Sequence, residues 1–170
     1  MRKVILMVAV SLDGFIEGPN GEYDWCMTDQ DYGMNEFFKR ADAVFFGRKS
    51  YELFLKEGQD WMPEMKHYVF SNSMDKAPGN ATLISGDIKS AVNEIKNKSG
   101  KDIWMFGGAS LTESLMKDGL IDEFILAVHP ILLGSGKQLF HGIQERVQLE
   151  LVSSKQYDTG LVSLSYTLKK

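Results

Sequence analysis

The chain has 170 residues, of which 44% are hydrophobic and 25% charged, and its formal net charge is −4. That length fits one domain with its own core, and the acidic balance, with no stripe of Lys and Arg, excludes a nucleic-acid-binding footprint. A single cysteine, Cys26, rules out an internal disulfide and points to a reducing, cytoplasmic compartment.

Along the chain, Arg2 and Lys3 precede an apolar run at residues 4–10 that is far too short to span a bilayer. Ser11-Leu12-Asp13-Gly14 follows at once, with no small-residue cleavage site, so the run reads as a strand buried on both faces and no membrane association is expected. Residues 11–28 read as a loop, punctuated by Gly14, Gly18, Pro19, Asn20 and Gly21. Met34, Phe37, Phe38 and Ala41 recur at i, i+3, i+4 and i+7, which predicts a helix begun at Thr28 or Asp29, with Asp29 and Asp31 as favourable charges near its start. Residues 43–46 predict a second buried strand, 48–55 a helix, and 67–70 and 81–84 two short strands. Ile88, Ala91, Val92 and Ile95 form a helical stripe that ends near Gly100; residues 102–106 are a strand, and Leu111, Leu115 and Met116 line the next helix. Residues 124–128 are a sixth strand, and segments 147–157 and 161–169, joined by Asp158-Thr159-Gly160, form a hairpin. Strands alternating with helices, closed by a hairpin, predict a three-layer α/β domain with a mainly parallel central sheet and antiparallel strands at its C-terminal end.

In an open α/β sheet, ligands sit beyond the carboxyl ends of the strands. Four such ends are polar or glycine-rich: Ser11-Leu12-Asp13-Gly14, Gly47-Arg48-Lys49-Ser50, Ser71-Asn72-Ser73 and Gly107-Gly108-Ala109-Ser110. Arg48 offers a permanent forked charge suited to phosphate, Ser50 and Ser110 offer hydroxyls at helix starts, Ser71 and Asn72 offer short polar side chains, and the glycine pair offers bare backbone at a helix N-terminus. Each also has a plain structural reading: Gly47 ends a strand beside a solvated Arg48, Gly107-Gly108 makes a tight packing turn, and Asp13 closes its own loop as an Asx-turn. Sharper motifs fail. Gly134-Ser135-Gly136-Lys137 lacks the earlier glycine and the following hydroxyl of a P-loop, and there is no Gly-x-Gly-x-x-Gly after a strand, no Cys-x-x-Cys and no Gly-x-Ser-x-Gly. His67, His129 and His141 are scattered, without metal-ligand spacing, and read as ordinary partly buried histidines, so no metal is expected. Phe37, Phe38, Phe45, Phe46 and Phe106 read as core.

The set Ser11-x-Asp13-Gly14-x-Ile16, Asp42 to Glu52 with Gly47-Arg48-x-Ser50, Val69 to Ser73, Gly107-Gly108-Ala109-x-Leu111 and Gly119 to Phe140 resembles the C-terminal reductase domain of the bacterial riboflavin-biosynthesis deaminase–reductase, which is similar in fold to dihydrofolate reductase. The resemblance covers essentially the whole chain as one domain, 1–170, and the His and Cys ligands of the deaminase half have no counterpart, so a stand-alone reductase-like domain is expected. It implies NADPH as cofactor. Arg48, in the Gly47 turn, would meet the 2′-phosphate; Ser50 would meet the pyrophosphate; Ser71 and Asn72 would lie near the adenosine 2′-phosphate. Gly107, Gly108, Ala109, Ser110 and Leu111 would bring backbone N–H groups to the pyrophosphate, with a cis peptide between the two glycines. Ala9 and Ile16 would flank the nicotinamide, and Asp13 and Gly14 would border the substrate, Asp13 orienting or protonating it. The implied activity is reduction of a pyrimidine- or pterin-like substrate, first 5-amino-6-(5-phosphoribosylamino)uracil and second dihydrofolate; the alternative is a nucleotide-binding module of the same fold without turnover. Relatives of this branch pair as homodimers, and the hairpin and Ile131-Leu132-Leu133 offer apolar surface for it.

Overall fold

The computed structural model describes residues 1–58 and 60–169. Strand β1 (Val4–Ser11) leads to the short β2 (Phe15–Glu17), helix α1 (Met34–Arg40), strand β3 (Ala41–Gly47), helix α2 (Arg48–Glu57), strands β4 (Lys66–Phe70) and β5 (Thr82–Ile84), and helix α3 (Ile88–Asn97). Strand β6 (Asp102–Gly107), helix α4 (Ala109–Lys117), strand β7 (Glu123–His129), the two-residue β8 (Lys137–Gln138), and the hairpin of β9 (Leu149–Gln156) and β10 (Val162–Leu168) complete the chain.

Eight strands form one sheet in the order β5-β4-β3-β6-β1-β7-β10-β9. Neighbours from β5 to β7 are parallel, and β10 runs antiparallel to both β7 and β9. The continuous apolar run in β1 has a direct cause: alternate residues enter two separate cores. Val4 and Leu6 pack with Phe45, Ile103 and Met105 beneath α3 and α4, through Val92, Ile95, Leu111 and Leu115. Ile5 packs on the other face with Val44, Phe46 and Trp104 against Phe37 of α1 and Tyr51 and Phe54 of α2. The three layers expected from the alternation of strands and helices are therefore present, and no helix among the described residues is long and apolar enough to cross a membrane.

Two local expectations are corrected. The first helix does not begin at Thr28 or Asp29: Tyr32 (φ 49°) and Gly33 (φ 86°) are left-handed, which breaks the helical path. Asp31 caps the shortened helix from outside, accepting the N–H groups of Gly33 and Asn35, both at 3.0 Å. Ala41, placed on the helical stripe, instead opens β3. Residues 11–28 are also not all loop, because β2 pairs antiparallel with β8 in a second, two-stranded sheet. Gly136 makes that approach possible, since a Cβ there would lie 2.1 Å from the Glu17 carbonyl oxygen. Its glycine serves contact between backbones rather than phosphate.

At the opposite end of the sheet, the buried Glu123 carboxylate accepts two hydrogen bonds from Arg40, at 3.0 and 2.8 Å. The Arg40 guanidinium holds its pKa below the ordinary value of 4.5, against the opposing effect of burial. A carboxylate so depressed stabilises the fold above its unfolded-state pKa and loses that contribution as pH falls through the folded-state value. Glu123→Gln is expected to lower unfolding stability by about 2 kcal/mol at pH 7, and the gap to wild type should shrink steadily below pH ~4.5 in urea titrations. A gap that stays constant from pH 7 to pH 3 would contradict this.

Candidate active site

Strands β3 and β6 are direct neighbours, with Phe46 paired to Gly107. Their C-terminal ends therefore launch α2 and α4 side by side. The N-caps of these helices are Gly47 and Gly108, and neither helix receives a side-chain cap. By contrast, α3 has Asp87 as its cap, accepting the Ser90 N–H at 3.1 Å. First-turn N–H groups have no partner within their own helix and carry the positive end of its dipole. Here two such ends open together, and they are tied to each other: Ser50 Oγ, in the first turn of α2, accepts the Gly108 N–H at 3.2 Å. The Gly108 carbonyl in turn accepts both the N–H and the hydroxyl of Thr112, each at 3.0 Å. The Gly107–Gly108 peptide is cis, in agreement with the sequence expectation. A Cβ on Gly108 would sit 3.2 Å from Ser50 Oγ, so a side chain there would press on the link.

The neighbouring turn is equally ordered. The Ser71 N–H reaches the Ile84 carbonyl at 3.0 Å, Ser71 Oγ accepts the Ser73 N–H at 3.2 Å, and Asn72 Oδ1 accepts the Gly86 N–H at 2.9 Å. A cavity of about 1040 Å³ runs across these strand ends. Every residue expected to hold the cofactor lines it: Ala9 and Ile16, the turn of Gly47, Arg48 and Ser50, Ser71 with Asn72, and Gly107, Gly108, Ala109, Ser110 and Leu111. Arg48 is exposed at its rim; the nearest carboxylate, Glu52, stands 3.9 Å from Nε in a solvent-facing pair that holds it weakly.

Asp13 and Gly14 are not among the lining residues. The Asp13 carboxylate accepts the Ser11 hydroxyl at 2.6 Å and the N–H groups of Leu133 and Gly134 at 3.1 and 2.8 Å. Those bonds, the Ser11 hydroxyl first, hold its pKa below the ordinary carboxylate value. In this structure the Asp13 carboxylate, expected to orient or protonate the substrate, has its oxygens engaged and anchors the 131–134 loop. The Gly14 N–H turns back to the Ser11 carbonyl at 3.0 Å and belongs to the same anchor.

The other half of the cavity was missed in the sequence. Its wall is aromatic: Phe38 of α1 and Phe54 of α2, Trp61 beyond α2, and Trp104 and Phe106 of β6. Trp104 lies 5.1 Å from Phe106, 5.8 Å from Phe38 and 6.1 Å from Trp61, ring centre to ring centre. Trp104 is held by its Nε1–H on the Met7 carbonyl at 3.1 Å. The i, i+2 spacing of Trp104 and Phe106 was the available signal, since it puts both rings on one face of β6, but Phe38 and Trp61 reach that face only through tertiary packing.

The 23–32 loop covers the cavity from the β7 side. His129, almost fully buried, accepts the Met27 N–H on Nε2 at 3.1 Å and donates from Nδ1 to the Ala127 carbonyl at 2.8 Å. Trp25 meets the imidazole edge-on at 5.2 Å. His129 is therefore a clasp that binds this loop to β7. Cys26, on the same loop, has its thiol pushed up to about 11 by burial, which favours the protonated form.

Residues 2–163 match the family model of the RibD C-terminal domain. The uncharacterised protein YyaP of Bacillus subtilis (strain 168) is 40% identical over 97% of this chain and 94% of its own, and YwjB of the same organism is 36% identical over 92% of each. Among solved structures, a candidate riboflavin biosynthesis protein from Shewanella sp. PV-4 superposes with a TM-score of 0.89 at 26% identity over 99% of both chains. The fold also matches a deaminase/5-amino-6-(5-phosphoribosylamino)uracil reductase from Thermotoga maritima, at TM-score 0.75 and 14% identity, with 99% of this chain aligned to 57% of that one. It matches dihydrofolate reductase from Enterococcus faecalis complexed with NADP(H) at TM-score 0.71 and 13% identity, over 99% and 97% of the two chains.

Asp13→Ala is expected to lower stability, because two loop N–H groups lose a charged acceptor. Urea titration checks this; unchanged stability would contradict the anchoring role.

Proposed function

The chain belongs to the RibD C-terminal domain family, and from that premise we propose that it is an NADPH-dependent reductase of a planar heterocycle of the pyrimidine or pterin type. The observation that carries the reading is the pair of uncapped helix N-termini, linked through Ser50 and Gly108, that open on one cavity with Arg48 at the rim. Bare N–H groups beside two glycines suit a pyrophosphate, whose oxygens need close donors and no intervening side chain. The forked Arg48 guanidinium suits a terminal phosphate monoester, the group that distinguishes NADPH from NADH. When bound, this cofactor supplies the hydride that passes to an electrophilic carbon of the substrate.

The chain's own residues do the rest. Ser50 accepts the Gly108 N–H and still has its hydroxyl proton to donate to a phosphate oxygen. Ser71 and Asn72, braced by their own turn, border the adenosine side. Ala9 and Ile16, small and apolar, flank the nicotinamide where β1 and β2 approach it. With Asp13 engaged in its loop, water reaching the cavity provides the proton that accompanies the hydride. Family kinship points to the ring class of the uracil intermediate of riboflavin synthesis first and to that of dihydrofolate second. The protein works in a reducing cytoplasm, to which a single thiol is suited.

We also read the functional unit as a homodimer. Strand β9 is exposed along its whole length and presents Leu149, Leu151 and Val152 to solvent, an apolar edge of the kind that a second copy covers.

Arg48→Ala is expected to weaken NADPH binding by about 10-fold or more, the worth of one charged phosphate contact, and to change NADH affinity by less than about twofold. Equal loss for both nucleotides, measured by quenching of tryptophan fluorescence, would contradict the place given to Arg48. Sedimentation velocity is expected to give twice the chain mass for wild type and the monomer mass for Leu151→Glu. A monomeric wild type would overturn the dimer.

A further inference from the structure

We infer that the substrate of this site is a flat, uncharged or cationic heteroaromatic compound that carries no phosphate or carboxylate tail. The inference rests on the reading that a dinucleotide fills the glycine-capped end, and it concerns what the aromatic end accepts.

Charge is divided along the cavity. Three Lys or Arg side chains line it among the described residues: Arg48, Lys49 and Lys137. Arg48 and Lys49 belong to the first turn of α2, at the phosphate end. Lys137 is engaged with Glu17 at 3.4 Å, across the β2–β8 pair. The aromatic end lies between α1 and the far end of α2, and the charged residues lining it there are acids: Asp31 just before α1 and Glu57 at the last position of α2. Glu57 is nine residues from Arg48, about 13 Å along the helix axis. At that distance the Arg48 charge is screened by roughly a Debye length or more of solvent.

A phosphate or a glutamate tail seated in this end would leave water with the cations of α2, Arg48 and Lys49, set back in its first turn. It would face Glu57 and an Asp31 whose carboxylate already accepts the Gly33 and Asn35 N–H groups. A neutral ring system would instead lie against a wall of aromatic faces. Trp61 and Leu53 are 48% and 39% exposed, so part of that wall is bare apolar surface waiting for cover. A cationic ring gains further from the indole faces and the acidic rim. The phosphorylated uracil that the resemblance put first, and dihydrofolate with its glutamate, both carry the wrong charge for this end.

The test uses the whole chain saturated with NADP⁺ and two matched pairs of probes: riboflavin against riboflavin 5′-phosphate, and uridine against uridine 5′-monophosphate. Each is titrated by calorimetry, and the affinity for NADP⁺ alone is measured first. The unphosphorylated member of each pair is expected to bind at least about 10-fold more tightly. Glu57→Lys is expected to remove or reverse that preference without altering NADP⁺ affinity. Trp61→Ala is expected to weaken the unphosphorylated members several-fold. The inference is overturned if a phosphorylated member binds wild type as tightly as its partner, if neither unphosphorylated probe binds, or if Glu57→Lys leaves the preference untouched. Failure of NADP⁺ to bind in the first titration would overturn the cofactor reading itself. The same probe pairs on the nucleotide-free chain then show whether the aromatic end keeps its preference.

Discussion

The site depends on one pairing, that of β3 with β6 near the middle of the sheet. It brings two glycine-capped helix starts together, and the hydrogen bond from Gly108 N–H to Ser50 Oγ joins them. Without side-chain caps, the first-turn N–H groups of α2 and α4 must find partners outside the protein. The fold has thus left these donors where a ligand can reach them, while Asp87 accepts the Ser90 N–H at the start of α3.

Around this centre, several groups hold neighbouring segments in place. Asp13 fastens the 131–134 loop, His129 clasps the 23–32 loop to β7, and Gly136 lets β8 approach β2. These three constraints hold the segments on the β1–β7 side of the cavity. The result is a cleft with a cationic, donor-rich end and an aromatic, acid-rimmed end. Such polarity suits the proposed reading, in which one cavity would hold a polyanionic cofactor and a differently charged partner side by side.

Much of this was legible in the sequence because it depended on local chemistry. Apolar runs marked β1, β3 and β6, and the helical stripes marked α3 and α4. The Gly47 and Gly107-Gly108 turns could be read because glycine at a strand-to-helix junction has few physical reasons to be there. What stayed hidden was tertiary. Nothing in the spacing of Met34, Phe37 and Phe38 announces that Tyr32 and Gly33 turn left-handed and delay the helix. Asp13 was legible as a loop carboxylate, but its partners were not, since they lie 120 and 121 residues away, at Leu133 and Gly134. The aromatic wall draws on residues from 38 to 106, and Phe38 and Phe106 looked like core because a ring beneath a ligand and a ring beneath a helix carry the same hydrophobic signature.

The central claim is that the open N-terminal turns of α2 and α4 grip a dinucleotide's phosphates. A ¹⁵N–¹H NMR titration with NADPH reads those donors one by one. The account predicts that the amides of Lys49, Ser50, Ala109, Ser110 and Leu111 shift together and saturate on a single binding curve, while that of Ser90, at the capped start of α3, stays still. Saturating NADPH that leaves the α2 and α4 amides unmoved would contradict it.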